Sequence, residues 1–377
     1  MKAVSSVFTS LLILLLVFGC SQDKNGGEKT FFLDLGQFTV ESLGSNITVV
    51  QDGAGRRLIL VPRGQSVPEG YEGMEVVRIP VKRVVAYRFF DVAVLKALGS
   101  LDTLVAVTIP KKDWYLTEIR DGMDQGRITY IGRPDAIDYE RLKRLRPDLV
   151  LTWDIAALPM LKSLGIHAVV TTTPVAMCLS TRMKFVEFLA PFLGKEGEAK
   201  EFIKRVKRAL DDIREKTSSH TLFRPKVMWG DIYEKRVLVE PGNSWIGQLI
   251  GLVNSDYLFE DVYGASCIEI NLERFLYSGR DADIYFTYRT PATGATSKDA
   301  LKAINPLIST IRPLQPGGRV YSPRPEFVQQ QDRLDEIFTE IAAILHPDLY
   351  PGYRLKFFLR LPEHDPPAGD NPDGRRP

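Results

Sequence analysis

KEGEAKEFIKRVKRALDDIREKTS, residues 195–218, is the stretch from which the rest of the chain is read. Its apolar residues Phe202, Ile203, Val206, Ala209, Leu210 and Ile213 recur at the spacing of one stripe of an α-helix. Lys, Arg, Glu and Asp fill the opposite face. Gly194 closes the pattern that precedes it, and Glu196 and Glu198 place negative charge in the first turn, where the macrodipole favours it. At 1.5 Å per residue the helix is about 36 Å long, roughly the width of a small domain. About 175 residues separate it from an apolar leader and about 160 follow it, each enough for one compact domain. The expected design is a strut joining two similar lobes, with a ligand bound between them.

Composition agrees with two cores and excludes one function class. The chain has 377 residues, 44% hydrophobic and 25% charged, and 49 Lys plus Arg against 47 Asp plus Glu leave a net charge of +2. So balanced a chain has no overall field for nucleic acid, and no basic arm or zinc-finger spacing is present. Residues 1–19 read as an export signal, with Lys2 followed by the apolar run Leu11–Phe18, which is too short to span a bilayer. Val17-Phe18-Gly19-Cys20 resembles a bacterial lipobox, which implies lipid on the Cys20 sulfur and a soluble protein held at a membrane surface. Cys178 and Cys267 are expected as buried free thiols rather than a disulfide.

Residues 20–80 are expected to form a tether and a β-rich extension, with strands at Phe38–Val40, Ile47–Val50 and Leu58–Val61. The first lobe, residues 81–194, alternates strands (Arg83–Tyr87, Leu104–Val107, Ile128–Ile131, Leu149–Trp153, Ala168–Thr172) with helix-sized segments. That alternation implies βαβ units and a parallel sheet. After the helix at 195–218, residues 219–361 repeat the theme. Lys226–Gly230 and Arg236–Val239 form a hairpin, Asp283–Tyr288 is a buried strand and Arg319–Tyr321 an edge strand. Leu334, Ile337, Phe338, Ile341, Ile344 and Leu345 mark a last amphipathic helix. Residues 362–377, rich in Pro, Gly and charge, are expected to be disordered.

Enzyme motifs are missing. Gly242-Asn243-Ser244-Trp245-Ile246-Gly247 misses the nucleophile elbow by one place, so Asn243 or Ser244 is read as a helix N-cap. There is no phosphate-binding loop and no G-x-G-x-x-G. The four histidines are scattered, which disfavours capture of a bare transition metal. Asp52, Asp121 and Asp124 are read as turn residues. What stands out is a set of aromatic and arginine residues at expected strand ends: Tyr87, Arg88, Phe89, Trp114, Tyr115 and Trp153 before the long helix, and Tyr233, Trp245, Tyr288 and Arg289 after it. Trp229 has a matching place, and packing alone would explain Trp153 and Trp229. Open α/β sheets bind ligands beyond the carboxyl ends of their strands. Two such edges facing each other suit a bulky, partly planar or anionic ligand.

Val84-Val85, Leu95–Gly99, Ile131-Gly132, Asp138–Leu142 and Leu145–Val150 together resemble class III periplasmic binding proteins, the ABC-importer receptors for ferric siderophores, haem and vitamin B12. Glu240–Ile246, Ile270–Phe275 and Ala282–Ile284 carry the resemblance into the second half, so that it covers roughly Val81–Leu361. The stretch before Val81 is longer than in a typical B12 receptor. The resemblance implies an α/β fold of two Rossmann-like lobes with mainly parallel sheets, joined by one long rigid helix that limits closure, plus the β-rich extension. It implies a lipid-anchored extracytoplasmic monomer with no cofactor and no catalysis, which hands its ligand to an ABC permease and its ATPase. Glu140 and Glu273 fall where that family presents one carboxylate per lobe to permease arginines. Ferric siderophore leads as ligand, because Arg88, Arg289 and the tyrosines suit an anionic chelate; a corrinoid follows, and haem is third. The competing classes are a lipid-anchored hydrolase and a structural or adhesive surface lipoprotein.

Overall fold

The computed structural model describes residues 37–365 except 45, 175–176, 219–222 and 234–235. The leader and Cys20 lie outside the described residues. The described chain begins with a four-stranded sheet, β1 (Thr39–Gly44), β2 (Ile47–Gln51), β3 (Arg57–Pro62) and β4 (Glu75–Ile79), in sequence order. The first two pairings are antiparallel and β3–β4 is parallel. Sequence reading missed β4, because one parallel strand gives no hairpin signal.

The first lobe holds β5 (Val84–Ala86), α1 (Phe89–Ala97), β6 (Leu104–Val107), α2 (Thr117–Asp124), β7 (Thr129–Tyr130), α3 (Tyr139–Leu145), β8 (Leu149–Thr152), α4 (Leu158–Ser163) and β9 (Ala168–Val170). Its sheet is wholly parallel, in the order β7-β6-β5-β8-β9. The strand order reverses at β5, which places a crevice at the carboxyl ends of β5 and β8. Helix α3 starts where Asp138 accepts from the Arg141 backbone N–H at 2.8 Å. Helix α2 is a correction: Asp121 and Asp124 sit in it rather than in turns. Its glycine hid it; Gly122 lets the Ile128 side chain lie close, where a Cβ would stand 2.6 Å from Ile128 Cδ1.

The extension closes the open edge of this sheet. The Asp52 carboxylate is fully buried and accepts from the Val170 N–H at 3.0 Å, while Gly53 N–H donates to Val170 O at 2.9 Å. A Cβ on Gly53 would stand 1.9 Å from Thr172 O, so only glycine permits this approach. Asp52 is thus more than a turn residue: it pairs an exposed strand edge with the extension.

Helix α5 (Leu179–Leu193) ends at Gly194 in the left-handed conformation (φ 67°) and leads into α6 (Glu196–Ser218), the long helix read from the sequence. Phe202, Ile203, Val206, Leu210 and Ile213 are buried on one face, and the charged face is exposed. The second lobe follows with β10 (Lys226–Tyr233), β11 (Arg236–Val239), α7 (Trp245–Leu252), β12 (Asp256–Tyr257), β13 (Ile268–Ile270), α8 (Leu272–Asp281), β14 (Ile284–Phe286), α9 (Lys298–Ile304), β15 (Arg319–Pro323), α10 (Leu334–Leu345) and β16 (Phe358–Arg360). Its sheet runs β13-β11-β10-β14-β15-β16, with β12 also paired to β10. Strand β15 is therefore interior, since β16 covers the side expected to be an edge.

Helix α6 does not stand free between the lobes. It packs on α5 and α10, and one continuous apolar cluster runs from Phe38 through these helices to Leu361. Each fully buried Leu, Ile, Phe or Val in such a seam contributes roughly 1.5–3 kcal/mol. A joint of this kind is stiff. Residues 362–365, expected to begin a disordered tail, are held instead: Lys298 N–H donates to Pro362 O at 2.9 Å, and the buried Lys298 Nζ lies 2.7 Å from Glu363 Oε1.

Candidate functional site

Each lobe carries one arginine locked to one buried aspartate at the carboxyl end of a central strand. After β5, Arg88 pairs with Asp91 at 2.8 Å and also donates to Thr171 O at 2.7 Å. After β14, Arg289 pairs with Asp231 at 3.3 Å, donates to Ile232 O at 2.7 Å and lies 4.6 Å over the Tyr233 ring. Burial pushes both aspartate carboxyls up, and the guanidinium beside each pulls it back toward ionisation. The two arginines read as ligand anchors are thus largely neutralised inside their own lobes.

The other candidates separate into packed and accessible residues. Tyr87 is buried on the sheet face that also holds Ile131 and Leu142, its hydroxyl unpartnered and its pKa raised by burial. Trp114 is buried against Phe89 (4.9 Å), with its indole N–H donated to Ile109 O at 3.1 Å. Trp114 is therefore packed in the apolar core with its one polar atom satisfied locally. Trp229 stacks on Phe286 at 4.3 Å and is a core residue. Trp153, which packing would have explained, is instead 45% exposed beside Ile155 at 57%. Tyr115 is held through its backbone, whose N–H donates to Gln329 Oε1 at 2.8 Å.

The lobes meet at a residue the sequence reading passed over. Arg182, on α5, places its guanidinium 4.6 Å from the Phe90 ring of the first lobe and 4.8 Å from the Trp245 ring of the second. One terminal nitrogen donates to Gln331 Oε1 at 3.1 Å; the Nε is out of solvent and has no partner among the described residues. Burial lowers its pKa to about 9, against the opposing pull of Glu240. The Glu240 carboxyl is itself raised by burial and accepts from Cys267 Sγ at 3.5 Å. The Tyr288 hydroxyl faces both Glu240 and Cys267 yet makes no well-formed hydrogen bond. Cys267 is exposed rather than buried, and only Cys178 is buried; both are free. Trp245 and Tyr288 are thus brought together with Arg182 and Glu240, whereas Tyr87 packs in a separate apolar cluster.

Local structure explains the placement. Ser244 caps α7 by accepting from Gly247 N–H at 3.2 Å, and Asn243 instead accepts from Gly264 N–H at 3.1 Å. Gly242 admits the turn, since a Cβ would lie 2.1 Å from Glu260 O. That turn sets Glu240 and Trp245 on either side of it. Arg182 gave little sign in the sequence, because one arginine on an apolar helix reads as a solvated charge. Glu140 and Glu273 are both exposed in the first turns of α3 and α8.

Two α/β lobes meeting on strand ends, with rings and charged groups between them, define a two-lobed ligand-binding protein. The description of the periplasmic binding protein family matches residues 84–343. The chain belongs to that family, whose members bind a substrate for transport and are not enzymes. An uncharacterized lipoprotein of Methanocaldococcus jannaschii is 25% identical over 327 residues, 82% of this chain and 77% of its own length. An uncharacterized ABC transporter substrate-binding lipoprotein of Bacillus subtilis is 24% identical over 277 residues, 71% of this chain and 81% of its own. The crystal structure of Helicobacter pylori CeuE with Ni(II) bound has a TM-score of 0.58 at 18% identity, covering 77% of this chain and 92% of that one. At that identity the likeness speaks for the fold alone.

Proposed function

We propose that the protein is the substrate-binding lipoprotein of an ABC importer, capturing a metal chelate between its lobes and delivering it to the permease. Family membership and the lipoprotein relatives support the transport reading. The observation that carries the ligand site is the pair of buried, unpartnered polar atoms at the lobe boundary, Arg182 Nε and Tyr288 Oη, set among Phe90, Trp245 and Glu240. Buried polar groups in native proteins are nearly always bonded, so such groups at one boundary favour a guest that bonds them. Because Asp91 and Asp231 neutralise Arg88 and Arg289, and Glu240 opposes Arg182, the site offers little net positive charge. That favours a corrinoid, whose rim carries uncharged amides, over a strongly anionic ferric siderophore, and haem comes third. Lipid on Cys20 would hold the protein at the outer face of a membrane; no helix among the described residues is long and apolar enough to cross one.

The test is a thermal-shift series with cyanocobalamin, the trianionic tris-catecholate ferric enterobactin and haemin. Cyanocobalamin should raise the melting temperature most, since ligand at 100 times its Kd adds about 2.7 kcal/mol to stability. Response to the ferric chelate alone would reverse the ligand order, and response to none would remove the chelate reading. The two surface glutamates yield a separate expectation. Glu140→Ala combined with Glu273→Ala should leave the ligand-induced shift intact and lower uptake through the reconstituted transporter, because both carboxylates are exposed on helix first turns and neither is among Arg182's partners. Unchanged uptake would remove their docking role.

A further inference from the structure

Positive charge is concentrated at one edge of the first lobe, on a chain whose net charge is only +2. The edge is the one where the parallel strands begin, opposite the strand ends that face the lobe boundary. Lys82 and Arg83 precede β5, and Lys143, Arg144 and Arg146 lie at the end of α3 and in the turn into β8; all five are exposed, while Arg141 stands at the start of α3, bonded to Tyr130 O at the end of β7. Two open hollows flank α3, of about 650 and 520 Å³. Arg144 lines both, Arg141 the first, and Lys143, Arg146 and Glu140 the second.

The nearby acids do not balance this edge. Asp148 is engaged by Arg63 at 3.2 Å and by the Lys82 and Arg83 backbone N–H groups, and Asp138 lies 3.9 Å from Arg141. Arg83 spends its Nε–H on Leu145 O at 2.8 Å, at the end of α3. Lys82, Lys143, Arg144 and Arg146 have no ion-pair partner among the described residues. Glu140 shares the second hollow with Lys143, Arg144 and Arg146.

We propose that this edge is a docking surface for the anionic headgroups of a lipid bilayer. Long, unpaired cations spread around two open hollows match a diffuse layer of negative charge better than one discrete anion, since no single point is enclosed by them. The tether argues for the same partner. The stretch from Cys20 to Gln37 reaches at most about 60 Å, so a lipid-anchored chain would keep this edge within reach of the membrane at all times. At that effective concentration even weak attraction holds the lobe down between deliveries. Each basic residue close to an anionic surface strengthens partitioning about fivefold. The inference is independent of which ligand occupies the lobe boundary.

The test is co-sedimentation of the chain beginning at Ser21, which carries neither the apolar leader nor the acyl anchor, with large vesicles. Binding should occur with vesicles of about one-third phosphatidylglycerol in phosphatidylcholine, be absent with phosphatidylcholine alone, and be lost at about 0.5 M NaCl through screening. Lys143→Glu, Arg144→Glu and Arg146→Glu combined should weaken binding by roughly 100-fold or more, with an unchanged melting temperature and an unchanged ligand-induced shift. Binding that survives this triple change, or that neutral vesicles share, overturns the proposal. So does complete displacement by millimolar inorganic phosphate, which would mark a discrete phosphate pocket instead of a headgroup surface.

Discussion

Asp231→Ala is expected to destabilise the protein by roughly 3–5 kcal/mol, read as a shift in the urea midpoint, because it leaves a mostly buried guanidinium without its counter-charge. Asp231 and Arg289 have side-chain exposures of 5% and 13%, so solvent screens the pair little. Asp231 also accepts from the Ile232 N–H at 2.6 Å and from the Thr287 hydroxyl, and those donors would be orphaned too. The cost comes from stranding a charge rather than from losing an attraction. Adding Arg289→Met to Asp231→Ala should therefore recover much of the loss, a coupling that a double-mutant cycle measures. A cost below about 1 kcal/mol for Asp231→Ala alone would show that water reaches the guanidinium, and the neutralised-site argument would fail with it. Asp91→Ala should behave alike in the first lobe, where Asp91 is fully buried beside Arg88.

Arg182→Met is expected to weaken ligand binding by roughly 10–100-fold, the worth of a hydrogen bond from a charged donor, with little change in folding. Methionine keeps an apolar stem between the Phe90 and Trp245 rings but offers no donor and no charge. Arg182→Lys should be intermediate, since an ammonium keeps the charge and loses the planar face that lies between two rings. Calorimetric titration with whichever chelate stabilises the wild type separates two roles. If Arg182→Met binds as tightly as the wild type but melts earlier, the guanidinium joins the lobes and does not contact the ligand. Weaker binding at an unchanged melting temperature is the result expected of a ligand contact.

What was legible in the sequence followed from local periodicity. The stripe from Phe202 to Ile213 identified α6, the alternation of apolar runs and helix-sized segments produced two α/β lobes, and Ser244, read with Asn243 as an N-cap, marked a helix start that the structure confirms. Elements with weak local signals were lost, such as α2 with its central glycine and β4 without a hairpin turn. The candidate site was legible only as a neighbourhood. Strand-end aromatics named Trp245 and Tyr288 together with Trp114, but nothing in the chain distinguishes a tryptophan whose N–H will find Ile109 O nearby from one that will meet an arginine of the other lobe.

Spacing along one chain was enough to define the lobes, the long helix between them and the kind of residue found at the strand ends. Only the tertiary structure decided which charges are spent. Arg88 and Arg289 have the same side chain as Arg182, yet two are matched by a buried aspartate in their own lobe, and the third sits between two rings where the lobes join. Burial and partner geometry set the free energy of a charge, and both arise from contacts between residues far apart in the chain.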